Sequence, residues 1–249
     1  MVQRHTRLFS IRVPGSCANL GVGFDCLAVA IDRYLTIDGY EEANLIGRWW
    51  IIDTELDVPK DQNNLIIRVA EDVCRQSGIL EIPFHIRLVI KSELPLEGGQ
   101  GSSAAAIVAG ILLAEHICGV SNSNEYRLKI ASAYESHLDN LGACIFGNIV
   151  CIQDFTVKCL REIASVLKLT IIETNTRLST KDSRAVLPKE IHLNAVVSAL
   201  QCLAKFVCIL FEASGKRNDT LIYEIKDVYS REILHHPYRI QQVLISSII

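Results

Sequence analysis

The run Pro95-Leu96-Glu97-Gly98-Gly99-Gln100-Gly101-Ser102-Ser103-Ala104-Ala105 has the residue types a phosphate site needs. Its glycines let backbone N–H groups converge without side chains in the way. The small, apolar residues from Ser102 to Cys118 predict a helix that opens in this loop. Its first N–H groups and positive dipole end would therefore face whatever the loop holds. Ser102 and Ser103 add hydroxyls that can cap the helix, contact phosphate or approach a metal ion. The loop lacks the Gly-Lys-Ser/Thr of a Walker A sequence. Gly99 to Ala104 does fit G-x-G-x-x-A, but Pro95-Leu96-Glu97 separates it from the strand before it. No ribose-binding acid ends a second strand about 20 residues later, as a dinucleotide site requires. The plainest reading is a Gly/Ser turn with an N-cap.

Three further groups could do chemistry. Asn19 and Asp25 flank a glycine-rich turn and would offer an amide and a carboxylate to the amino and hydroxyl groups of a small polar substrate. An Asx-type turn satisfying only local backbone would use the same residues. Glu135-Ser136-His137-Leu138-Asp139-Asn140 reads, on residue types alone, as a solvated helix end. Arg184 and Arg239, taken singly, read as surface residues.

Longer strings narrow these alternatives. P-x-x-x-G-x-G-S-S-A-A resembles the phosphate loop of the GHMP kinases, with Gln100 where an apolar residue is usual. Val13-Pro14-Gly15-Ser16-Cys17-Ala18-Asn19-Leu20-Gly21-Val22-Gly23-Phe24-Asp25 is similar to V-P-A-T-S-A-N-L-G-P-G-F-D of the homoserine kinases within that superfamily. The segment from Glu135 to Asn140 resembles E-G-H-P-D-N, with Ser136 and Leu138 as departures. The stretch from Ser179 to Pro188 resembles S-T-x-x-A-R-x-V-L-P, and His235-His236-Pro237-Tyr238-Arg239 resembles H-Q-P-Y-R.

The resemblance implies ATP and Mg²⁺ as cofactors and L-homoserine as substrate, phosphorylated on its hydroxyl in a step toward threonine. It places the nucleotide phosphates on the run from Pro95 to Ala105 and Mg²⁺ on Ser103 and Glu135. Asn19, Asp25, Asn140, Arg184 and Arg239 become substrate residues, the two arginines gripping the carboxylate. Asp25 and Glu135 become the catalytic pair, and His137 and Asp139 shape the site. The implied fold is the two-domain α+β fold of these kinases. Its N-terminal domain (1–155) is ribosomal protein S5 domain 2-like, and its C-terminal domain (156–249) is ferredoxin-like.

Those side chains need elements to hold them. Alternation predicts strands at 8–13, ended by Pro14-Gly15, and at 34–40, 46–52, 84–90, 148–153 and 166–173. Residues 26–31 form a separate apolar stretch. Helical periodicity covers 65–76, with Gly78 closing it, and then 102–118, 124–136, 195–213 and 220–234. A short apolar helix follows Asp139-Asn140, and a domain boundary is expected near 154–165.

The chain has 249 residues, enough for two domains, and 49% hydrophobic positions with 21% charged ones exclude a mostly disordered chain. Its net charge of −3 supplies no field for nucleic acid or an anionic membrane, so neither is expected as a partner. No stretch reads as membrane-spanning. Nine cysteines without C-x-x-C spacing read as buried thiols of a reducing cytoplasm. A homodimer is left open by the residues. Kinases of this superfamily carry a third motif, G-x-G-P-T, which these 249 residues lack. The C-terminal domain is therefore expected to be incomplete, and a truncated, non-catalytic kinase-like protein is the second reading.

Overall fold

A computed structural model describes residues 6–21, 23–42, 50–79, 85–96, 98–161, 167–172, 184–185, 190–213 and 242–247. Glu97, Arg239 and its motif, and the helix expected over 220–234 lie outside the described residues, as does most of the stretch from 179 to 188.

One sheet is built on β2 (Leu27–Glu41), whose length lets it pair with three neighbours among the described strands. Strand β1 (Arg7–Ala18) pairs antiparallel along one edge. On the other edge β4 (Ile86–Ser92) takes residues 35–41 and β5 (Ile149–Gln153) takes 27–29. Outside these lie β3 (Trp50–Asp53), parallel to β4, and β6 (Thr156–Cys159), antiparallel to β5. Among the described strands only β3 and β4 run parallel, so this is not the parallel βαβ sheet that a dinucleotide site requires.

Two strand expectations are corrected. Residues 26–31 and 34–40 belong to one strand, β2, and β1 does not stop at Pro14-Gly15. The register there passes from Pro14↔Tyr34 to Gly15↔Ile31, so β2 carries Asp32 and Arg33 as extra residues in a bulge. Strand β1 pairs only with β2, and an edge strand tolerates the N–H that Pro14 lacks.

Helix α1 (Leu65–Gln76) begins where Asn64 Oδ1 accepts the Ile66 N–H, and buries Ile66, Ile67, Val69, Ala70, Val73 and Cys74. Helix α2 (Ser102–Cys118) is apolar on nearly every side because it is enclosed by the sheet and α1. Gly110 permits the α1 contact, since a Cβ there would lie 2.7 Å from the Ile66 carbonyl oxygen. Helix α3 (Asn124–Ala131) is shorter than expected, and turns occupy the next three residues. Helix α4 (Leu138–Phe146) lays Ala143 against Ala28, Val150 and Ile152 of the sheet.

The expected boundary at 155 falls inside the β5–β6 hairpin. The first sheet continues to Cys159, and Leu160 is buried in its core. Beyond it, β7 (Leu167–Ile172) pairs antiparallel with β8 (Gln242–Ser247). Helix α5 (Leu193–Ala213) docks through Phe206, which is fully buried with its ring against Gly21. No helix among the described residues is long and apolar enough to cross a membrane.

Candidate active site

Buried polar side chains show where the fold invests in a site. Six are buried among the described residues, and three of them, Ser16, Gln100 and Asp139, surround the start of α2 and the start of α4. Every buried side-chain nitrogen and oxygen among the described residues has a partner. The core therefore tolerates these groups because they are fully engaged.

The phosphate-type loop leaves β4 and turns into α2 through Gly99 and Gly101, both at positive φ. Gly101 is the N-cap and has no side chain to cap with, and among the described residues no side chain bonds the first N–H groups of α2. Ser103 is exposed on the first turn and Ser102 is half-buried beside it. Pro95, Leu96 and Gly98 are half-buried and Gly99 is exposed, while Ala104 and Ala105 are buried in the core. Their small size lets the helix start close against its neighbours. Gln100, the departure from the usual apolar residue, is only 2% exposed. Its Oε1 accepts from Arg33 at 3.0 Å, and Arg33 stands in the β2 bulge. The bulge thus supplies the partner that lets an amide replace an apolar side chain.

The second group gathers on Asp25. Both Arg184 Nη atoms donate to its carboxylate, Nη1 to Oδ2 at 3.1 Å and Nη2 to Oδ1. The Asp25 N–H donates to Asn19 Oδ1 at 2.8 Å, and both residues sit at positive φ. His137 Nδ1 lies 3.8 Å from Asp25 Oδ2. The Arg184 guanidinium also stands 5.1 Å from the centroid of the Phe24 ring. Arg184 is therefore not a surface arginine but one half of a bidentate pair.

Helix α4 joins the two groups. His137 is its N-cap, and Glu135 Oε1 just ahead accepts the His137 N–H at 3.4 Å. Asp139 Oδ1 accepts the Asn140 N–H at 2.7 Å. Asn140 Oδ1 accepts from Ser16 Oγ at 2.8 Å, and the Ser16 N–H donates to the Gln100 carbonyl at 3.0 Å. Among the described residues, no hydrogen bond joins Ser103 to Glu135. Reading the residues in sequence missed Ser16 and Phe24, although both lie inside the 13–25 motif. The available signal was a serine, Ser16, in the apolar second half of β1, from Val13 to Ala18.

Burial raises the Asp139 carboxyl above the ordinary carboxylate range, and the nearby Asp25 adds to this. The Asn140 N–H, His137 and Arg184 oppose it. Within the window between the ordinary and raised values, the folded chain binds more protons than the unfolded one. Stability from this group therefore falls as pH rises through the window and stays lower above it. Asp139→Asn keeps the oxygen that accepts the Asn140 N–H and removes the titration. Its stability relative to the parent should be more favourable at pH 7 than at pH 4 in urea melts. An unchanged difference would remove Asp139 as a source of pH dependence.

Cysteines near the site do not add a nucleophile. Burial pushes the Cys26 and Cys17 thiols up to about 11 and Cys144 to about 12, so all three stay protonated at neutral pH. What remains is an uncapped helix N-terminus beside a set of carboxylate, guanidinium and amide groups. That arrangement suits an anionic group on one side and a small zwitterion on the other.

Comparison with known proteins gives the family. The GHMP kinases N terminal domain family matches residues 64–148. A curated homoserine kinase of Halalkalibacterium halodurans is 34% identical over 238 residues, covering 93% of this chain and 72% of that protein. One from Bacillus cereus is 34% identical across 94% of this chain and 75% of its own length. A solved structure described as a homoserine kinase, from Listeria monocytogenes, matches with a TM-score of 0.70 at 27% identity. That match covers 91% of this chain and 75% of the other. The mevalonate kinase of Methanococcus jannaschii shares the fold, with a TM-score of 0.66 at 14% identity over 96% of this chain and 82% of the other. With a GHMP kinase domain match, and homoserine kinases a third identical along nearly its whole length, the chain belongs to the homoserine kinase family.

Proposed function

We propose that this chain transfers the γ-phosphoryl group of ATP to the hydroxyl of L-homoserine, giving O-phospho-L-homoserine and ADP in a step toward threonine. The observation that carries the substrate assignment is the Asp25–Arg184 pair, which His137 faces from the start of α4, the helix that Ser16 ties to the glycine-cradled loop.

In the free chain Asp25 and Arg184 satisfy each other. A zwitterionic amino acid exchanges for that pair without leaving either charge alone: its carboxylate takes Arg184, joined by Arg239, and its amino or hydroxyl group takes Asp25. Asn19 holds the Asp25 backbone in place, and Asn140 offers a carboxamide to the same substrate. Residues 98–103 and the dipole of α2 receive phosphate oxygens. The Ser103 hydroxyl and the Glu135 carboxylate are hard oxygen donors suited to Mg²⁺, which needs few protein ligands when phosphate supplies others. When bound, Mg·ATP supplies the phosphoryl group and the charge neutralisation that its transfer requires. Asp25 then accepts the proton as the hydroxyl oxygen forms its bond to phosphorus and the bond to ADP breaks.

Division of labour follows the two-domain scheme: the first unit, ending after Leu160, carries the phosphate loop, and the second contributes Arg184 and Arg239. Nine cysteines without a disulfide support a cytoplasmic setting. The reading includes a homodimer, checked by light scattering, where a monomer mass at micromolar concentration would remove it.

The test is turnover of ATP with L-homoserine and Mg²⁺, followed by ³¹P NMR. Phosphohomoserine is the expected product, and none from a folded chain would overturn the assignment. With 3-aminopropan-1-ol, which keeps the amine and hydroxyl but lacks the carboxylate, kcat/KM should fall about 100-fold or more, since Arg184 loses its partner. Equal turnover of the two would remove Arg184 and Arg239 as carboxylate ligands.

A further inference from the structure

Ser16 has no place in the residue roles assigned above, yet it is the point where the two halves of the site meet. It is fully buried in β1. Its backbone N–H holds the Gln100 carbonyl of the phosphate loop at 3.0 Å. Its Oγ donates to Asn140 Oδ1 at 2.8 Å and accepts from Cys144 Sγ at 3.4 Å. Gly101 packs so closely that a Cβ there would lie 2.1 Å from the Ser16 Oγ. One residue thus holds the loop through its backbone, packs against the N-cap Gly101 of α2 and bonds through its hydroxyl to Asn140 and Cys144 of α4.

We propose that Ser16 is a positioning residue, setting both the distance from the phosphate loop to Asn140 and the way the Asn140 carboxamide faces. The hydroxyl has a single proton, and Asn140 Oδ1 takes it. The amide is therefore held with its oxygen toward β1, which leaves the NH₂ end as the face available to an acceptor on the substrate. Without the hydroxyl, the amide is free to turn over, and the half-buried Asn140 oxygen loses its donor. The Ser16 N–H still holds the Gln100 carbonyl, but α4 loses its tie to the residue that holds the loop, so donor and acceptor groups are aligned less often. Alignment of this kind acts on kcat more than on binding, and a misplacement of about 1 Å can cost about 100-fold in rate.

The proposal rests on the homoserine kinase reading for its kinetic consequence but not for its geometry, and the experiment separates the two. Ser16→Thr and Ser16→Val have the same shape and differ in the hydroxyl, so packing effects cancel between them. S16V is expected to lower kcat about 10- to 100-fold relative to S16T, with KM for homoserine and ATP changed less than about 3-fold. In an Asn140→Ala background the same pair should differ less than about 2-fold, because the route through Asn140 is gone. The second readout uses the substrate-free protein: ¹⁵N NMR of the Asn140 side-chain amide, assigned by its loss in N140A. Its two protons should exchange with water about 10-fold faster in S16V than in S16T.

Equal kcat for S16T and S16V would overturn the proposal, as would a loss that persists undiminished in N140A. Equal amide exchange in the two variants would do so as well. A parent chain that fails to phosphorylate homoserine would overturn the function assignment, while the amide exchange would still decide the role of Ser16.

Discussion

Replacing Asp25 with asparagine is expected to lower kcat for homoserine about 100-fold or more, within the usual range for losing a general base. The substitution is local. Asparagine accepts the left-handed backbone conformation that Asp25 adopts at φ 55°, and the N–H held by Asn19 Oδ1 is unaffected. The side chains of Arg184 and Asp25 are 28% and 34% exposed, so water screens the pair and its loss should cost little stability. What changes is the acceptor for the substrate's proton. D25N should fold with a melting temperature close to the parent's, so that the loss is read in kcat alone. If D25N retains most of the kcat, Asp25 orients the substrate and removes no proton.

Gly101→Ala should do comparable damage by a different route. Gly101 sits at φ 66°, where an L side chain costs roughly 1–2 kcal/mol. Its Cβ would also meet Ser16 Oγ at 2.1 Å and the Ser16 backbone nitrogen and oxygen at 3.1 Å. Ser16 cannot retreat, being fully buried and bonded to both Gln100 and Asn140. The loop must then lift away from β1, and kcat/KM for ATP should fall about 100-fold or more as the phosphate-binding N–H groups lose their aim. Gly119→Ala is the control. Gly119 caps the other end of α2 with the same φ of 66°, and a Cβ there would meet nothing within 4 Å. G119A should lose about 1 kcal/mol of stability in denaturant melts and keep activity within about twofold. If G101A were as active as G119A, the contact with Ser16 would have no bearing on the loop.

These two expectations rest on contacts of very different legibility. Helix α1 could be read to its last residue from the sequence, because Asn64 before an apolar 3.6-residue period and Gly78 after it are local signals. The start of α2 was equally plain, since Gly-Gly-Gln-Gly-Ser-Ser changes composition abruptly. Pro14-Gly15 misled for the same reason: it is a local stop signal, and only pairing with a bulged β2 carries the strand through it. The end of α3 at Ala131 was likewise invisible, as the residues after it remain acceptable in a helix.

By itself, the sequence determined the chemical inventory. It supplied the glycines and serines for a phosphate loop, the carboxylates, amides and arginines for an amino acid, and the strings that mark a homoserine kinase. Tertiary structure decided how that inventory is joined. Arg184 reaches Asp25 across 159 residues, Ser16 reaches Asn140 across 124, and Arg33 turns Gln100 from an exception into a buried, bonded residue. Local periodicity reports which face of an element is apolar. It does not report which distant element will supply a hydrogen-bond partner, because that depends on how the sheet bulges and the helices pack.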